Sequence, residues 1–158
     1  MKDLVEVDVK KVLPSPTGCA LCIGNKEKTF VIYVGPNEGA AILMALEKVK
    51  KQRPLTHDLI CNIFKGFGIT VEYIVINDLK DSTFYARMIL KEENDLGKNI
   101  VEIDGRPSDC IAIAKNVGCK IFVAKKVFDK VEDVSKLLEK GAKQGTEDDF
   151  NLFEDDII

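Results

Sequence analysis

A chain of 158 residues, 46% hydrophobic and 31% charged, suits one domain with a buried core and excludes a disordered or fibrous protein. No apolar run reaches the roughly 18 residues of a membrane helix, and Met1-Lys2-Asp3-Leu4-Val5-Glu6 lacks a signal peptide's apolar stretch, so a cytoplasmic protein with no membrane partner is expected. The net charge of -3 is split: residues 145–158 hold six acids and no base, so residues 1–144 carry 23 bases against 20 acids, mildly basic but far from a typical nucleic-acid binder's field.

Val5, Val7 and Val9 alternate with Glu6, Asp8 and Lys10, the period of a half-buried strand. A turn cluster, Pro14-Ser15-Pro16-Thr17-Gly18, separates it from strands predicted over 19–24 and 29–34, which together suggest an antiparallel meander. The period then changes. Gly35-Pro36 stops the strand, Asn37 can cap a helix, and Ile42, Ala45, Leu46 and Val49 recur at helical spacing. Glu38 in the first turn and Lys48, Lys50 and Lys51 in the last would suit the helix dipole. A second helix is predicted from Thr56 to Gly66.

Residues 69–76 and 83–90 are β-prone and flank Asn77-Asp78-Leu79-Lys80-Asp81, so a hairpin is expected. A strand over 99–104 leads to Pro107, which a helix tolerates at its first position, and that helix ends at Gly118. A last strand over 120–124 and a short amphipathic helix over 131–138 follow. The expected architecture is α+β: a mixed, largely antiparallel sheet with three to four helices packed on it. Residues 1–140 would form the domain, and 141–158 an acidic, flexible tail.

The chemistry-bearing residues gather at helix starts. Arg53-Pro54 and Arg106-Pro107 each hold an arginine extended before a helix, since proline pushes its predecessor out of helical conformation. A helix N-terminus offers free amides, and an arginine beside it can bind phosphate. The same arginines could equally brace their turns by pairing with Asp58, Asp104 or Asp109. His57 is the only histidine, which excludes paired-imidazole chemistry and leaves one general acid or base, or a capping residue. Glu38, Asp58, Asp104 and Asp109 could hold Mg²⁺ or Mn²⁺ if they converge, or could simply cap helices.

Five cysteines (Cys19, Cys22, Cys61, Cys110, Cys119) sit among aliphatic residues and read as reduced, buried thiols. Cys19 and Cys22 have CxxC spacing, but on a strand they point to opposite faces and no second pair follows, against metal or redox work. Gly66-Phe67-Gly68 reads as a helix-ending turn rather than a dinucleotide loop, and no organic cofactor is expected.

Four stretches, Ile32-Tyr33-Val34-Gly35-Pro36-Asn37-Glu38-Gly39, Arg53-Pro54-Leu55-Thr56-His57-Asp58, Asp81-Ser82-Thr83-Phe84-Tyr85-Ala86 and Glu102-Ile103-Asp104-Gly105-Arg106-Pro107-Ser108-Asp109-Cys110, stand in the order of the bifunctional nuclease domain family, which the chain resembles over about residues 3–128. The family usually carries alanine where Gly39, Gly105 and Cys110 stand here. The resemblance implies a compact α+β fold that self-associates, and nuclease activity on DNA and RNA as attributed to some plant relatives.

Two functions follow as expectations. The first is a metal-assisted nuclease. Asp58, Asp104, Asp109 and Glu38 would hold Mg²⁺ or Mn²⁺, Arg53 and Arg106 the phosphate, His57 would move a proton, and Thr56 and Ser108 would support. The second is a non-enzymatic module whose polar cluster binds an anion or supports an oligomer interface. A homo-oligomer is expected in both, because residues 83–90 carry apolar side chains on both faces.

Overall fold

The computed structural model describes residues 2–144. The chain runs β1 (Leu4–Ser15), β2 (Gly18–Gly24), β3 (Thr29–Val34), α1 (Pro36–Leu46), α2 (Thr56–Gly66), β4 (Ile69–Lys80), β5 (Thr83–Asn94), β6 (Gly97–Gly105), α3 (Pro107–Val117), β7 (Lys120–Ala124), α4 (Lys125–Phe128) and α5 (Ser135–Gln144). Seven strands form one mixed sheet in the order β3-β2-β1-β7-β4-β5-β6. Every neighbouring pair is antiparallel except β4 with β7. The fold is α+β, as expected.

The core lies between one face of this sheet and the helices. Leu21, Ile23, Ile74, Ile76, Met88, Ile121 and Val123 meet Ile42, Ile111 and Ala114 there, all buried. α3 is the central helix, packed between α1 and α2, and seven of its eleven residues are buried. Pro107 at its first position and Gly118 just past its end, at φ 77, bound it as the sequence suggests. The sheet curls enough for Phe30 on β3 to stack on Phe84 on β5, ring centroids 5.9 Å apart.

Several boundaries differ from those read in the sequence. α1 is capped by Gly35 rather than Asn37, because Pro36 takes the first helical position and pushes Gly35 into extended backbone. It also ends at Leu46, so its lysines lie beyond it. Lys48 (φ 51) turns the chain, with Val49 N–H donating to Met44 O and Lys48 N–H to Ala45 O. The β4–β5 hairpin is longer than expected and turns on two residues, Asp81 and Ser82, both at positive φ. The last helix starts at Ser135, not Val131, because Val131 and Val134 sink into the core while Asp133 accepts from Ser135 N–H. α5 carries through Gly141 to Gln144, and the remainder of the expected tail lies outside the described residues.

On the sheet's far face Ile89, Val75 and Phe122 are each under a tenth exposed, while Tyr85 is 42% exposed. More exposed apolar surface lies elsewhere. α2 has no fully buried residue, and β6 is exposed from Gly97 to Asp104. No helix among the described residues is long and apolar enough to cross a membrane.

Candidate functional site

The three long helices begin alike. Each has an acid at its third position, Glu38 in α1, Asp58 in α2 and Asp109 in α3, where a carboxylate meets free backbone amides and the positive dipole end. Because α3 lies between the other two, its start can reach both neighbours.

It does so through one continuous chain of side chains. His57 Nε2 lies 2.9 Å from Asp109 Oδ1, and Arg106 Nε donates to Asp109 Oδ2 at 2.8 Å. Arg106 Nη1 donates onward to Glu38 Oε1 at 3.3 Å. Burial works to raise the Asp109 carboxyl, but hydrogen bonds from Arg106 and His57 outweigh it and leave it below the usual aspartate range. Asp109 is therefore an ionised acceptor on both oxygens, which makes His57 Nε2 the protonated nitrogen and leaves Nδ1 for another partner. Arg106 is two-thirds exposed and commits two of its five N–H groups, so three remain free among the described residues.

The other expected residues stand apart. Asp58 takes Lys51 Nζ at 2.7 and 2.8 Å and the Leu55 backbone N–H at 2.8 Å. Lys51 first, then Leu55, holds its carboxyl below the usual range. Leu55 has no polar atom to return the bond, so this is half a capping box. Asp104 faces the sheet's far side, where Arg87 is 3.8 Å away, because it pairs in register with Arg87 while Gly105 pairs with buried Ala86. Arg53 is exposed and without a partner among the described residues. Proline stands two positions before α2 but at the first position of α3, so only Arg106 is itself a helix cap. Thr56 is exposed at the start of α2, and Ser108 is buried at the start of α3.

Among the described residues no group of three or more His, Cys, Asp or Glu side chains is arranged to hold a metal ion. Asp58 and Asp109 have both oxygens engaged, and Asp104 lies on the far side of the sheet. As placed, these carboxylates do not fit a shared Mg²⁺ or Mn²⁺. Lys51 carries no local sequence signal, since its partner is seven residues away across a turn.

A cleft of about 980 Å³ opens beside Arg106, between β3, the starts of α1 and α3, the β4–β5 turn and residues 130–134. Phe30, Tyr33 and Phe84 contribute apolar wall, and Glu38, Arg106 and Ser108 the polar rim. His57 and Asp109 lie outside its lining. Thiol chemistry does not compete here: burial pushes Cys22 to about 11, Cys110 to about 12 and Cys119 to about 11, all protonated at neutral pH.

The family described as bifunctional nuclease domain matches residues 21–136, a span that holds every residue of the His57–Asp109–Arg106–Glu38 chain. Two proteins of Mycobacterium tuberculosis, from strains CDC 1551 and H37Rv and both called uncharacterized, are each 36% identical over 104 residues. That alignment covers 66% of this chain, and the chain spans 59% of the length of those relatives.

Proposed function

The chain belongs to the bifunctional nuclease domain family, and from that premise we propose that it hydrolyses phosphodiester bonds of DNA, RNA or both at the chain of side chains linking His57, Asp109 and Arg106. The observation that carries this reading is the double grip of Asp109. One ionised carboxylate orients an imidazole through Nε2 and a guanidinium through Nε, leaving Nδ1 and three guanidinium N–H groups available. A base oriented by a carboxylate beside an anion-binding arginine is the minimum that phosphoryl hydrolysis requires. Arg106 would hold the scissile phosphate. His57 Nδ1 would take a proton from the attacking water and return one to the leaving oxygen. Arg53, exposed ahead of α2, would hold a neighbouring phosphate, with Thr56 and Ser108 supporting from the helix starts. Glu38 keeps Arg106 aimed, Asp58 braces the helix that carries His57, and Asp104 stands outside the chain. No step runs through a metal.

A second reading, a non-enzymatic module that binds an anionic ligand, is favoured by the mutual pairing of these groups, which consumes both oxygens of Asp109. Cleavage of single- and double-stranded DNA and RNA by highly purified protein, with Mg²⁺, Mn²⁺ or a chelator, separates the two. His57→Ala is expected to lower the rate about 10²–10⁴-fold, and Arg106→Ala to weaken binding as well. Cleavage unaffected by His57→Ala sinks the mechanism. Binding that needs Arg106, with no cleavage under any condition, leaves the second reading.

A further inference from the structure

The start of α3 opens on the cleft, and it holds more unmet hydrogen-bonding capacity than a buried helix end normally keeps. Arg106 makes no side-chain cap bond, so the Ser108 and Asp109 N–H groups have no cap, and Pro107 has no N–H to satisfy. The Ser108 hydroxyl lines the cleft from a residue only 6% exposed, and it meets no partner among the described residues. A polar side chain buried that far normally has one. With the three unused N–H groups of Arg106, these donors form a seat for one oxyanion at the rim of the cleft, with the helix dipole behind it. The Glu38 carboxylate beside this seat is already taken by Arg106.

The rest of the cleft is not built for charge. Its lining sets two acids, Glu38 and Glu132, against two bases, Arg106 and Lys130, so its charges cancel. What remains is ring and hydroxyl. Tyr33 is 44% exposed, Leu79 and Phe84 are half-buried, and Phe84 is braced by its stack on Phe30. Ser15, Thr17, Ser82 and Thr83 supply hydroxyls that both donate and accept. Apolar, aromatic walls with uncharged two-way hydrogen-bonding groups suit a heteroaromatic base whatever its edge pattern. At about 980 Å³ the cleft has the size that encloses one small ligand, not a double helix.

We propose that the cleft takes an unstacked nucleobase whose phosphate sits on Arg106, Ser108 and the α3 amides, so the site accepts single-stranded nucleic acid and refuses duplex. This inference rests on the reading that Arg106 holds a nucleic-acid phosphate, and adds which form of strand can fill the site. In a duplex each base is stacked and turned inward, so a duplex offers its phosphate to Arg106 and nothing to the cleft. A single strand offers both, and one base–aromatic stack is worth about ten-fold in affinity.

Fluorescence anisotropy of the full chain at physiological salt tests this with three labelled probes of equal length. They are a thymidine strand, the same strand without bases, and a duplex, all with phosphorothioate links that keep the charge and resist cleavage. The thymidine strand is expected to bind about ten-fold tighter than either of the others. Tyr33→Ala is expected to bring the thymidine strand down to the base-free strand and to leave the base-free strand unchanged. Arg106→Ala should weaken both single strands alike. Equal binding of the thymidine and base-free strands, duplex binding as tight as single-strand binding, or a preference for bases that survives Tyr33→Ala would each overturn the base subsite, while the phosphate role of Arg106 stands. Binding untouched by Arg106→Ala would overturn both. The comparison of probes alters no residue, so it decides the matter even if Tyr33→Ala harms folding.

Discussion

At the scale of single residues, two departures from the family's usual pattern turn out to be fitted to their neighbours. A Cβ added at Gly39 would overlap Cys19 Sγ and come within 2.6 Å of Cys19 Cβ, and one added at Gly105 would lie 2.8 Å from Cys110 Sγ. Each glycine makes room for a sulfur, and at Gly105 and Cys110 both partners depart from the family's alanine, so that pair is a volume exchange between β6 and α3. Restoring alanine at one partner alone overpacks a tight contact. Gly39→Ala is expected to cost about 1–3 kcal/mol, read as a lower urea midpoint with unchanged slope. Cys19→Ala added to it should recover most of the loss, because residues in contact do not add. If the double substitution is as destabilising as the sum of the singles, the pairing is not real. Gly35→Ala makes a second test: its methyl would displace the Glu38 carboxylate, which folds back over Gly35, while the fold survives because that carboxylate ends a flexible side chain. The expected result is unchanged stability with weaker anion binding at Arg106, and preserved binding would remove Glu38 from any role in aiming that arginine.

Of α1, α2 and α3, α2 is held most lightly. Only partly buried Ile60, Cys61 and Phe64 bind it to the core, and the Lys51–Asp58 ion pair and the His57–Asp109 hydrogen bond tie down its start. Both aspartates have carboxyls held below their unfolded value, Asp58 by Lys51 first, Asp109 by Arg106 and His57 against burial. A depressed folded pKa means stability that is fully present above the unfolded value of about 3.9 and is lost as pH falls through the folded value. α2 should therefore loosen before the sheet when pH drops below about 4, visible as hydrogen exchange, corrected for intrinsic rate, rising in 56–66 ahead of 69–94. Asp58→Asn should lower stability at neutral pH by about 1 kcal/mol through the lost cap and blunt the acid response. Equal acid sensitivity of α2 and β4 would contradict this. The existence of α2 was legible from the apolar spacing after Thr56, that of α1 from the helical spacing of Ile42, Ala45, Leu46 and Val49, and that of α3 from Pro107. What escaped reading depended on distant partners. Lys51 finds Asp58 across a turn, Val131 and Val134 leave a helical pattern because the core takes them, and α4 is too short to show a period.

For the molecule as a whole, sequence periodicity gave seven strands but not their order, because a strand's pattern records which face is buried and not which neighbour it has. Candidate site residues were legible as types at helix starts. Their sorting into one linked chain of four and five separate positions was not, since it follows from α3 lying between α1 and α2. The strand order has a consequence of a different kind. β7 joins the β3-β2-β1 meander to the β4-β5-β6 meander, yet it is the last strand along the chain. It pairs Leu4 with Ala124 and Tyr73 with Lys120, so the centre of the sheet is its most non-local part. During synthesis both meanders emerge and wait, each with one inner edge bare, until residues 120–124 arrive. Folding dominated by such contacts is expected in milliseconds to seconds rather than microseconds, and stopped-flow refolding measures it. A chain ended at Cys119 should expose β1 and β4 together and aggregate, while one ended at Gln144 should not. For a ribosome making this protein, the interval before β7 appears is when chaperone protection matters most.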